Sequence, residues 1–441
     1  MSETPDKFET IRLFWVDLNG VARGTSIPAT ELDATSEAGV SFANSVAELT
    51  LGSGLLTDAK YGPEDGDMFA VPDLDSLTKL SWRDGEAAVF SDLKTISGDD
   101  FSLCARSALR RVVSDLESAG YVPQVGVEVE FSLLEPDDGG WRPFNAKTSY
   151  DADAIDQAAA LFDEWYAAMG QAGFDLTGIH QESLSGQYEV SLQYGAARST
   201  MDGVMFFRHL LKSTARSHGH GATVMPRPFD GEDANGMHLH LSLWDPDRKT
   251  NRFAAADGTA TADARRAGEA RLPDDARHFL GGIIEHAQAL TAICAPTVNS
   301  YKRLVPGIWA PTAIAWGFDN RSTALRVPPE SGPGTRIEYR VPDSASNPYL
   351  AMAATLAAGF DGIRSEAEPG DPVAVNAHEA GCETLPRTLW SALDYLEADD
   401  VLRDALGDDL VTEFVRLKRD EFDRSREAVS DWERDTYLET F

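Results

Sequence analysis

The sequence predicts a protein of the α+β class, and three observations lead to this prediction. The first hundred residues contain short strand-like runs, such as Ile11–Asp17 and Glu86–Phe90, separated by Gly, Pro and Asp turns. A helix follows, opening near Asp100–Ser102 and stopping at Gly120, with an acidic start and a glycine end. Beyond it, helices alternate with strands that carry polar residues at every second position, and the tail from Asp394 to Phe441 has helical spacing.

The length of 441 residues allows one to three domains. We place a boundary before the first long helix, which predicts one domain over residues 1–100 and another over residues 101–441. The hydrophobic fraction of 42% is too high for an acidic disordered chain, so both domains are expected to bury a core.

The charge balance is strongly acidic, with 72 Asp plus Glu against 39 Lys plus Arg and a net charge of −33. This charge argues against nucleic acid or an anionic membrane as the main partner, because both would be repelled. Only nine of the basic residues are lysines. An acidic, lysine-poor surface favours a protein from a salt-rich cytoplasm, where screening weakens the repulsion between carboxylates. An ordinary acidic bacterial enzyme is the alternative.

Cysteine usage and the absence of long apolar runs indicate the compartment. Cys104, Cys294 and Cys382 are few and widely spaced, which suggests neither a disulfide framework nor a thiolate zinc site. The first ten residues have no apolar core of a signal peptide, and no run approaches the ~20 apolar residues of a membrane span. We therefore expect a cytoplasmic protein with no membrane partner.

Four segments alternate apolar with polar residues, which is the pattern of strands that pack on one side. They are Gln124–Leu133, Gln187–Gln193, Met237–Trp244 and Thr335–Val341. Their polar positions are Glu128 and Glu130, then Glu189, then His238, His240 and Ser242, and finally Arg336, Glu338 and Arg340. For any single strand these side chains could simply meet solvent, but strand surfaces usually favour Thr, Lys and mixed polar residues. The restriction to Glu, His, Arg and one Ser favours a functional face.

The chemistry of this face indicates metal-assisted phosphoryl transfer. Carboxylates and imidazoles are ligands for hard metal ions, and arginines beside them bind phosphate or carboxylate groups through paired hydrogen bonds. Neither a Walker A loop nor a kinase glycine loop is present in the sequence. Bound metals would therefore have to hold the nucleotide.

The segments together resemble the glutamine synthetase family over nearly the whole chain. The most specific motif is Asn299–Gly307, with the sequence NSYKRLVPG. Matching positions follow in family order at Asn320-Arg321, Arg326, Arg336–Asp343 and Asn347–Tyr349, and the runs Phe14–Gly20 and Trp432-Glu433 also match. The resemblance implies a small amino-terminal β-grasp domain and a larger catalytic α/β domain with a curved antiparallel sheet. It also implies a homo-oligomer, a dodecamer of two stacked rings with active sites shared between neighbouring subunits.

The resemblance also implies the roles of particular residues. It gives two or more Mg²⁺ or Mn²⁺ ions per site, one bound by Glu130, Glu182 and Glu189 and another by Glu128, His238 and Glu338. Arg303 and Arg340 match positions that bind the carboxylates of the amino-acid substrate. Positions for ATP are Arg321, Arg326 and Arg336 at the phosphates, with His240 and Ser242 on the nucleotide side. We expect Arg303, Arg321 and Trp309 to act in catalysis.

The reaction that the resemblance implies has two steps. ATP first phosphorylates the γ-carboxylate of glutamate, because a carboxylate is a poor acylating agent. Two metals and arginines would neutralise the charge on the transferring phosphoryl group. An amine then attacks the acyl phosphate, and phosphate leaves.

Three positions depart from the pattern of glutamine synthetases proper. Trp309, within Pro306–Pro311, replaces a Glu that helps to deprotonate ammonium. Ala43, within Phe42–Val46, replaces an Asp that reaches the active site of a neighbouring subunit and binds ammonium there. The segment Asp233–Gly236 replaces a loop that contacts glutamate, and it places Ala234 among the substrate-binding positions.

These departures predict a γ-glutamyl–amine ligase similar to the glutamate–putrescine ligases of the family. Loss of two acids should weaken ammonium binding, whereas an indole suits an alkylamine stem or a second ammonium group. The amine would be putrescine or another polyamine. One alternative is a glutamine synthetase proper that uses ammonium, with Trp309 as a packing residue. Another is a non-catalytic structural or regulatory relative, which the six intact metal positions disfavour.

Overall fold

The amino-terminal part of the chain forms one mixed sheet. A computed structural model describes residues 7–147, 149–231, 234–255, 271–307 and 309–441. The strands of the first sheet are β1 (Thr10–Val16), β2 (Ala22–Pro28), β3 (Val40–Ala43), β4 (Asp67–Pro72), β5 (Thr78–Lys79) and β6 (Glu86–Lys94). Their order is β2-β1-β6-β4-β3, with β5 also paired to β6, and β1 and β6 run parallel. Both strands predicted in this region are present, and the second extends to Lys94.

A second, larger sheet is built from the remaining strands of the described chain. These are β7 (Val122–Asp137), β8 (Gly140–Pro143), β9 (Leu176–Gln181), β10 (Gln187–Ala196), β11 (Gly221–Thr223), β12 (Met237–Trp244), β13 (Ala313–Phe318), β14 (Thr323–Val327) and β15 (Ile337–Tyr339). The order is β13-β14-β15-β12-β7-β10-β9, with β8 and β11 on the long strand β7. The expected antiparallel pairing holds except between β13 and β14, which are parallel.

Helices cover the sheets and form the carboxyl-terminal tail. They are α1 (Leu32–Ala38), α2 (Ala105–Ser118), α3 (Ala152–Gln171), α4 (Ala197–Ser217), α5 (Asp274–Glu285), α6 (Ala287–Cys294), α7 (Ser300–Arg303), α8 (Pro348–Ser365), α9 (Leu389–Glu397), α10 (Asp400–Leu406), α11 (Asp408–Glu427) and α12 (Asp431–Tyr437). The α+β prediction and the helical tail are therefore confirmed. Within the described ranges, no helix combines the length and the apolar character that crossing a bilayer requires.

Two predicted element boundaries were wrong, and the backbone hydrogen bonds explain both. Helix α2 begins at Ala105 rather than near residues 100–102, because the amide of Cys104 closes a turn onto the carbonyl of Phe101 at 3.0 Å. Strand β15 covers only three residues of the predicted Thr335–Val341. The carbonyls of Pro333 and Thr335 accept hydrogen bonds from the Asn251 amide instead of continuing the ladder.

The alternating strands pack their apolar face against helices, and their polar face points to the opposite side of the sheet. On β7, the side chains of Val125, Val127, Val129 and Phe131 are at most 1% exposed. The Phe131 ring lies edge-on to Trp165 with ring centres 5.4 Å apart. The apolar side of the large sheet is thus closed by helices, and its other side is available to line a cavity. The division into domains at about residue 100 stays a prediction.

Candidate active site

A cavity of about 530 Å³ lies against the polar face of the large sheet. Predicted site residues that line it are Glu128, Glu130, Glu182, Glu189, Ala234, His238, Arg303, Trp309, Arg321 and Arg340. Strand register brings several of them together, because His238 pairs with Glu128 and Glu189 pairs with Glu130 across β7. Side chains that are directly opposite on neighbouring strands lie close on the same face.

A second cavity of about 430 Å³ adjoins the first and holds three of the residues predicted for the nucleotide. His240, Ser242 and Arg336 line it, and Arg336 Nε donates to His240 Nδ1 at 3.0 Å. Glu128 and Ser191 line both cavities, so the two spaces meet at the β7–β10 pair. This arrangement can hold a substrate on one side and a nucleotide on the other.

Other predicted residues lie outside both cavities. Glu338 is 1% exposed and accepts hydrogen bonds from Arg326 and Arg340, while Arg326 also bonds Asp319. Arg326 therefore reaches the carboxylate cluster from behind rather than from the cavity. Ala43 is exposed at the end of β3 and lines neither cavity of its own chain; its predicted place is in a neighbouring subunit. Asp233 of the predicted substrate loop lies outside the described residues.

Two carboxylates of the cluster are held as anions by nearby basic groups. Burial acts to raise the pKa of Glu338, but Arg340, His240 and His238 outweigh it, and the pKa falls to about 2. Burial is likewise outweighed at Glu128, where His240 and His238 hold the pKa well below its ordinary value. Hydrogen bonds and opposite charges both favour the ionised form.

For two other carboxylates in the cluster, the surroundings disfavour the ionised form. Burial and then repulsion from Glu128 and Glu130 raise the pKa of Glu189 well above its ordinary value. Burial also raises the pKa of Glu130, although His238 opposes the rise. Negative charge is therefore in excess in this part of the cavity, which a bound cation would relieve.

The donor atoms fit divalent metal ions. Three groups have ligand atoms within 4.8 Å of one another, namely Glu128–Glu189–His238, Glu128–His240–Glu338 and His180–Glu182–Glu189. His240 Nε2 lies 3.1 Å from Glu128 Oε1, yet it has no hydrogen-bond partner in the described chain. Carboxylate oxygens with imidazole nitrogens are a set that Mg²⁺ or Mn²⁺ accepts.

The grouping of ligand atoms differs from the two predicted trios. Glu130 belongs to none of the three groups, and its Oε2 accepts from the Gly236 amide at 2.7 Å and from Gln187 Nε2 at 3.1 Å. His240, expected on the nucleotide side, joins one of them. The assignment of two metal sites to the predicted trios stays a prediction.

Arg303 is placed by its backbone partners and by a close glycine. It is 2% exposed, and its guanidinium donates to the carbonyls of Val341 and Arg340 at 2.7 and 3.0 Å. A Cβ at Gly236 would lie 2.7 Å from Arg303 Nη2 and 2.9 Å from His238 Nε2. A glycine is needed there because Arg303, His238 and Glu130 crowd around it.

Sequence reasoning missed His180 and Tyr150, both of which line the first cavity. His180 Nε2 lies 2.9 Å from Glu182 Oε1, and the ring stacks on Tyr150 with centres 5.5 Å apart. Alternation could have indicated His180, since it stands two residues before Glu182. Tyr150 has a positive φ of 57° in a turn, and no local pattern indicates it.

Comparisons with known proteins agree on one family. The family model described as "Glutamine synthetase, catalytic domain" matches residues 102–437. A glutamine synthetase of Halobacterium salinarum is 37% identical over 450 residues, covering 98% of this chain and 94% of the relative. A glutamine synthetase of Pyrococcus abyssi is 36% identical over 457 residues, covering 97% and 96%.

Solved structures give the same result for the fold. A structure described as a GmaS/ADP complex matches with a TM-score of 0.88 and 34% identity, covering 100% of both chains. A structure described as a novel glutamine synthase homolog matches with a TM-score of 0.84 and 27% identity, covering 98% of this chain and 99% of the other.

The chain belongs to the glutamine synthetase family. Members of this family are ligases that form carbon–nitrogen bonds. They use ATP, divalent metals and glutamate, together with ammonia or an amine. The predicted family and the predicted class of ATP-dependent ligase are thereby confirmed at this coarser level.

Proposed function

We propose that the chain is an ATP-dependent γ-glutamyl–amine ligase, whose nitrogen donor is a primary amine such as putrescine or another polyamine. One observation carries the proposal: the Trp309 side chain is 65% exposed and lines the first cavity. A packing residue would be buried, whereas an exposed indole offers a face to a ligand. The matching family position holds a Glu, so an apolar and π surface replaces a negative charge.

The carboxylates of the cavity support the same view of the amine site. Among its described lining residues, the acids are Glu128, Glu130, Glu182 and Glu189. We assign all four to metal binding, which leaves the indole side without a free acid for ammonium. An alkylamine can gain apolar contact and a cation–π contact from Trp309, and ammonium lacks the alkyl part.

The chain's own residues would divide the work of the first step. We assign Arg303 and Arg340 to the substrate carboxylates and Arg321 to the phosphates of ATP, because all three line the first cavity. When bound, the divalent metals would neutralise negative charge on the phosphoryl group. An oxygen of the glutamate γ-carboxylate attacks the γ-phosphorus, and ADP leaves.

In the second step the neutral amine nitrogen attacks the acyl carbon, and phosphate leaves. An alkylammonium loses one proton before the attack and a second one after it, and the departing phosphate and solvent take up these protons. The indole of Trp309 would hold the amine and would shield the acyl phosphate from competing water. An acyl phosphate hydrolyses if water reaches it, so exclusion of water protects the intermediate.

The direct test is a donor series of ammonium, methylamine, ethylamine, butylamine, putrescine, spermidine and ethanolamine. Release of phosphate is measured with glutamate, ATP and Mg²⁺ or Mn²⁺ at molar salt, and the amide product is identified by mass spectrometry. We expect kcat/KM for at least one alkylamine to exceed that for ammonium by more than tenfold. Comparison of butylamine with putrescine shows whether a second ammonium group is used. Turnover with ammonium alone would overturn the proposal.

Variants of Trp309 sharpen this test. Trp309→Ala should raise the KM for the preferred amine by about tenfold, since a cation–π contact is worth roughly 1–2 kcal/mol when desolvated. Trp309→Phe is the matched control and should retain most of the affinity. Trp309→Glu should shift the preference toward ammonium. Equal kinetics for Ala and Phe variants would count against an aromatic amine site.

The second candidate is a glutamine synthetase proper, favoured by the names of the archaeal relatives. It predicts that ammonium is the best donor and that Trp309→Ala leaves its KM unchanged. A non-catalytic relative would release no phosphate with any donor. The gathering of metal-type ligands in one cavity supports catalysis instead.

Assembly and compartment belong to the same proposal. We expect a homo-oligomer of two stacked rings, with Ala43 reaching the site of a neighbouring subunit, in the cytoplasm of a halophilic cell. Light scattering at molar and at low salt tests the assembly and its dependence on salt. A folded, active monomer would contradict the shared site.

A further inference from the structure

Lys418 is the buried lysine of a chain that uses few. All nine lysines lie in the described part of the chain, and Lys418 alone belongs to the buried class, at 1% exposure. It projects from α11, and its Nζ lies 5.9 Å from the centre of the Phe414 ring. Lys418 lines neither cavity. A buried ammonium group has to be paired, so its partners indicate its purpose.

One partner of Lys418 lies in the turn between β1 and β2. Lys418 Nζ donates to Asn19 Oδ1 at 2.8 Å, and Asn19 Nδ2 donates to the Leu49 carbonyl at 2.8 Å. Leu49 directly follows the short helical segment Asn44–Glu48, which begins after Ala43. Lys418 therefore holds the turn of the Phe14–Gly20 motif together with the loop that follows Ala43.

The other partner leads to the arginine assigned to glutamate. Lys418 Nζ donates to Glu421 Oε2 at 3.0 Å, and Glu421 Oε1 accepts from the Val298 amide at 3.1 Å. Val298 stands in the turn in which Ser300 bonds Thr297, and helix α7 with Arg303 starts there. The Lys418–Glu421 pair thus anchors the segment that orients Arg303.

We propose that Lys418 is a positioning residue for glutamate binding, because it joins the Asn19 turn and the Leu49 loop to the Val298–Arg303 segment. The role of Arg303 in this inference rests on the proposed function. The ammonium group supplies three donors at one point, and its positive charge lies 3.0 Å from the Glu421 carboxylate, which makes this hydrogen bond a charge-assisted one. An apolar replacement would release Asn19 and leave the Glu421 carboxylate without its cation.

The test compares Lys418→Met with Lys418→Arg in the full-length, assembled protein. We expect Lys418→Met to raise the glutamate KM about tenfold, since small misplacements of a binding group are costly, and to change the ATP KM less than twofold. Lys418→Arg retains the charge and should restore most of the affinity. A matched control, His286→Gln, breaks another buried pair, His286–Asp399, outside both cavities, and should leave the glutamate KM unchanged.

Hydrogen–deuterium exchange supplies a readout that needs no turnover. Peptides covering residues 297–303 and 17–21 should exchange faster in Lys418→Met than in the wild type, and Lys418→Arg should restore their protection. If Lys418→Met does not fold, Glu421→Gln keeps an acceptor for Val298 but removes the charge, and a smaller change in the same direction is expected.

Three outcomes separate this inference from the proposed function. An unchanged glutamate KM, or equal rises in the glutamate and ATP KM values, would overturn the positioning role even if stability fell. Unchanged exchange over residues 297–303 would overturn the structural link. If the wild type turned over no substrate, the proposed function would fail, and the exchange data alone would still decide whether Lys418 anchors the Arg303 segment.

Discussion

Two buried charged clusters of this molecule differ in how their charges are matched. Between the amino-terminal sheet and the helices, Arg106 donates to Asp202 at 2.9 Å, and to Asp92 and Asp73 at 2.7 Å. Arg110 and Arg198 pair with the same aspartates from the outside. Each aspartate of this cluster therefore has an arginine partner.

The cluster in the first cavity has no such balance. Five glutamates meet there or directly behind it, and within the described chain Glu338 is the only one of these five that accepts hydrogen bonds from arginines. The pKa of Glu189 rises because the side chain is buried and also because its neighbours are carboxylates. Matched buried charge thus holds two parts of the fold together, whereas a surplus of one sign is typical of a site that binds an ion of the opposite charge.

The largest expected effect on stability comes from replacing Arg106, the central arginine of the matched cluster with Asp73, Asp92 and Asp202. Arg106→Met would leave three carboxylates with too few partners, and we expect the free energy of unfolding to fall by about 3–5 kcal/mol. Urea denaturation at fixed salt measures it. Arg110→Met is the control, because Arg110 is 37% exposed and its pairs should be worth about 1 kcal/mol or less. Equal losses in the two variants would show that burial does not set the contribution of these arginines.

Binding of a metal ion at the unmatched glutamate cluster of the first cavity should stabilise the folded protein. The free energy of unfolding should rise by about 2.7 kcal/mol when the free metal concentration is a hundred times the dissociation constant. The melting temperature is compared with saturating Mg²⁺ or Mn²⁺ and with EDTA. Glu189→Gln should reduce this gain and raise the stability of the metal-free protein, because it removes repulsion from Glu128 and Glu130. A metal-free Glu189→Gln protein less stable than the wild type would contradict the surplus of charge.

A side chain added at Gly236 would crowd the unmatched cluster, because this glycine lies directly beside it. Gly236→Ala would place a Cβ 2.7 Å from Arg303 Nη2, and we expect a loss of about 1–3 kcal/mol together with weaker metal stabilisation. Gly126→Ala is the control, since a Cβ there would meet His240 at an ordinary 3.6 Å. Thermal unfolding with and without metal compares the two variants, and a neutral Gly236→Ala would show that the site tolerates added volume.

The smallest expected effect concerns a matched pair that titrates. Burial acts to lower the pKa of His286, but Asp399 and Asp361 outweigh it, so the folded pKa lies above the ordinary 6.5. The stabilisation is present below pH 6.5 and is lost as pH rises through the folded value. We expect the free energy of unfolding to fall by about 1 kcal/mol, as for the loss of a typical hydrogen bond, as the pH rises through the folded pKa of His286. Unfolding measurements across this pH range check it. His286→Gln should abolish this slope, and a wild-type slope of opposite sign would contradict the pairing.

Local patterns were enough to predict the faces of the main strands. Alternation placed Glu128, Glu130, Glu189 and His238 on one side of a sheet, and the structure brings them to one cavity. The same reasoning failed at β15, where the Asn251 side chain competes for the backbone. It also missed Tyr150, whose position depends on a turn and on the distant residues His180 and Glu182.

The sequence by itself determined the composition of each strand face, the order of the family motifs and the acid-free position at Trp309. These features are local, because side-chain direction along a strand repeats every two residues. Only the tertiary structure decided which distant residues meet. Lys418 and Asn19 are 399 positions apart, and Arg106 and Asp202 are 96 apart. Such pairs depend on how helices and sheets pack, and no local pattern in the sequence shows which residues so far apart along the chain lie close together in space.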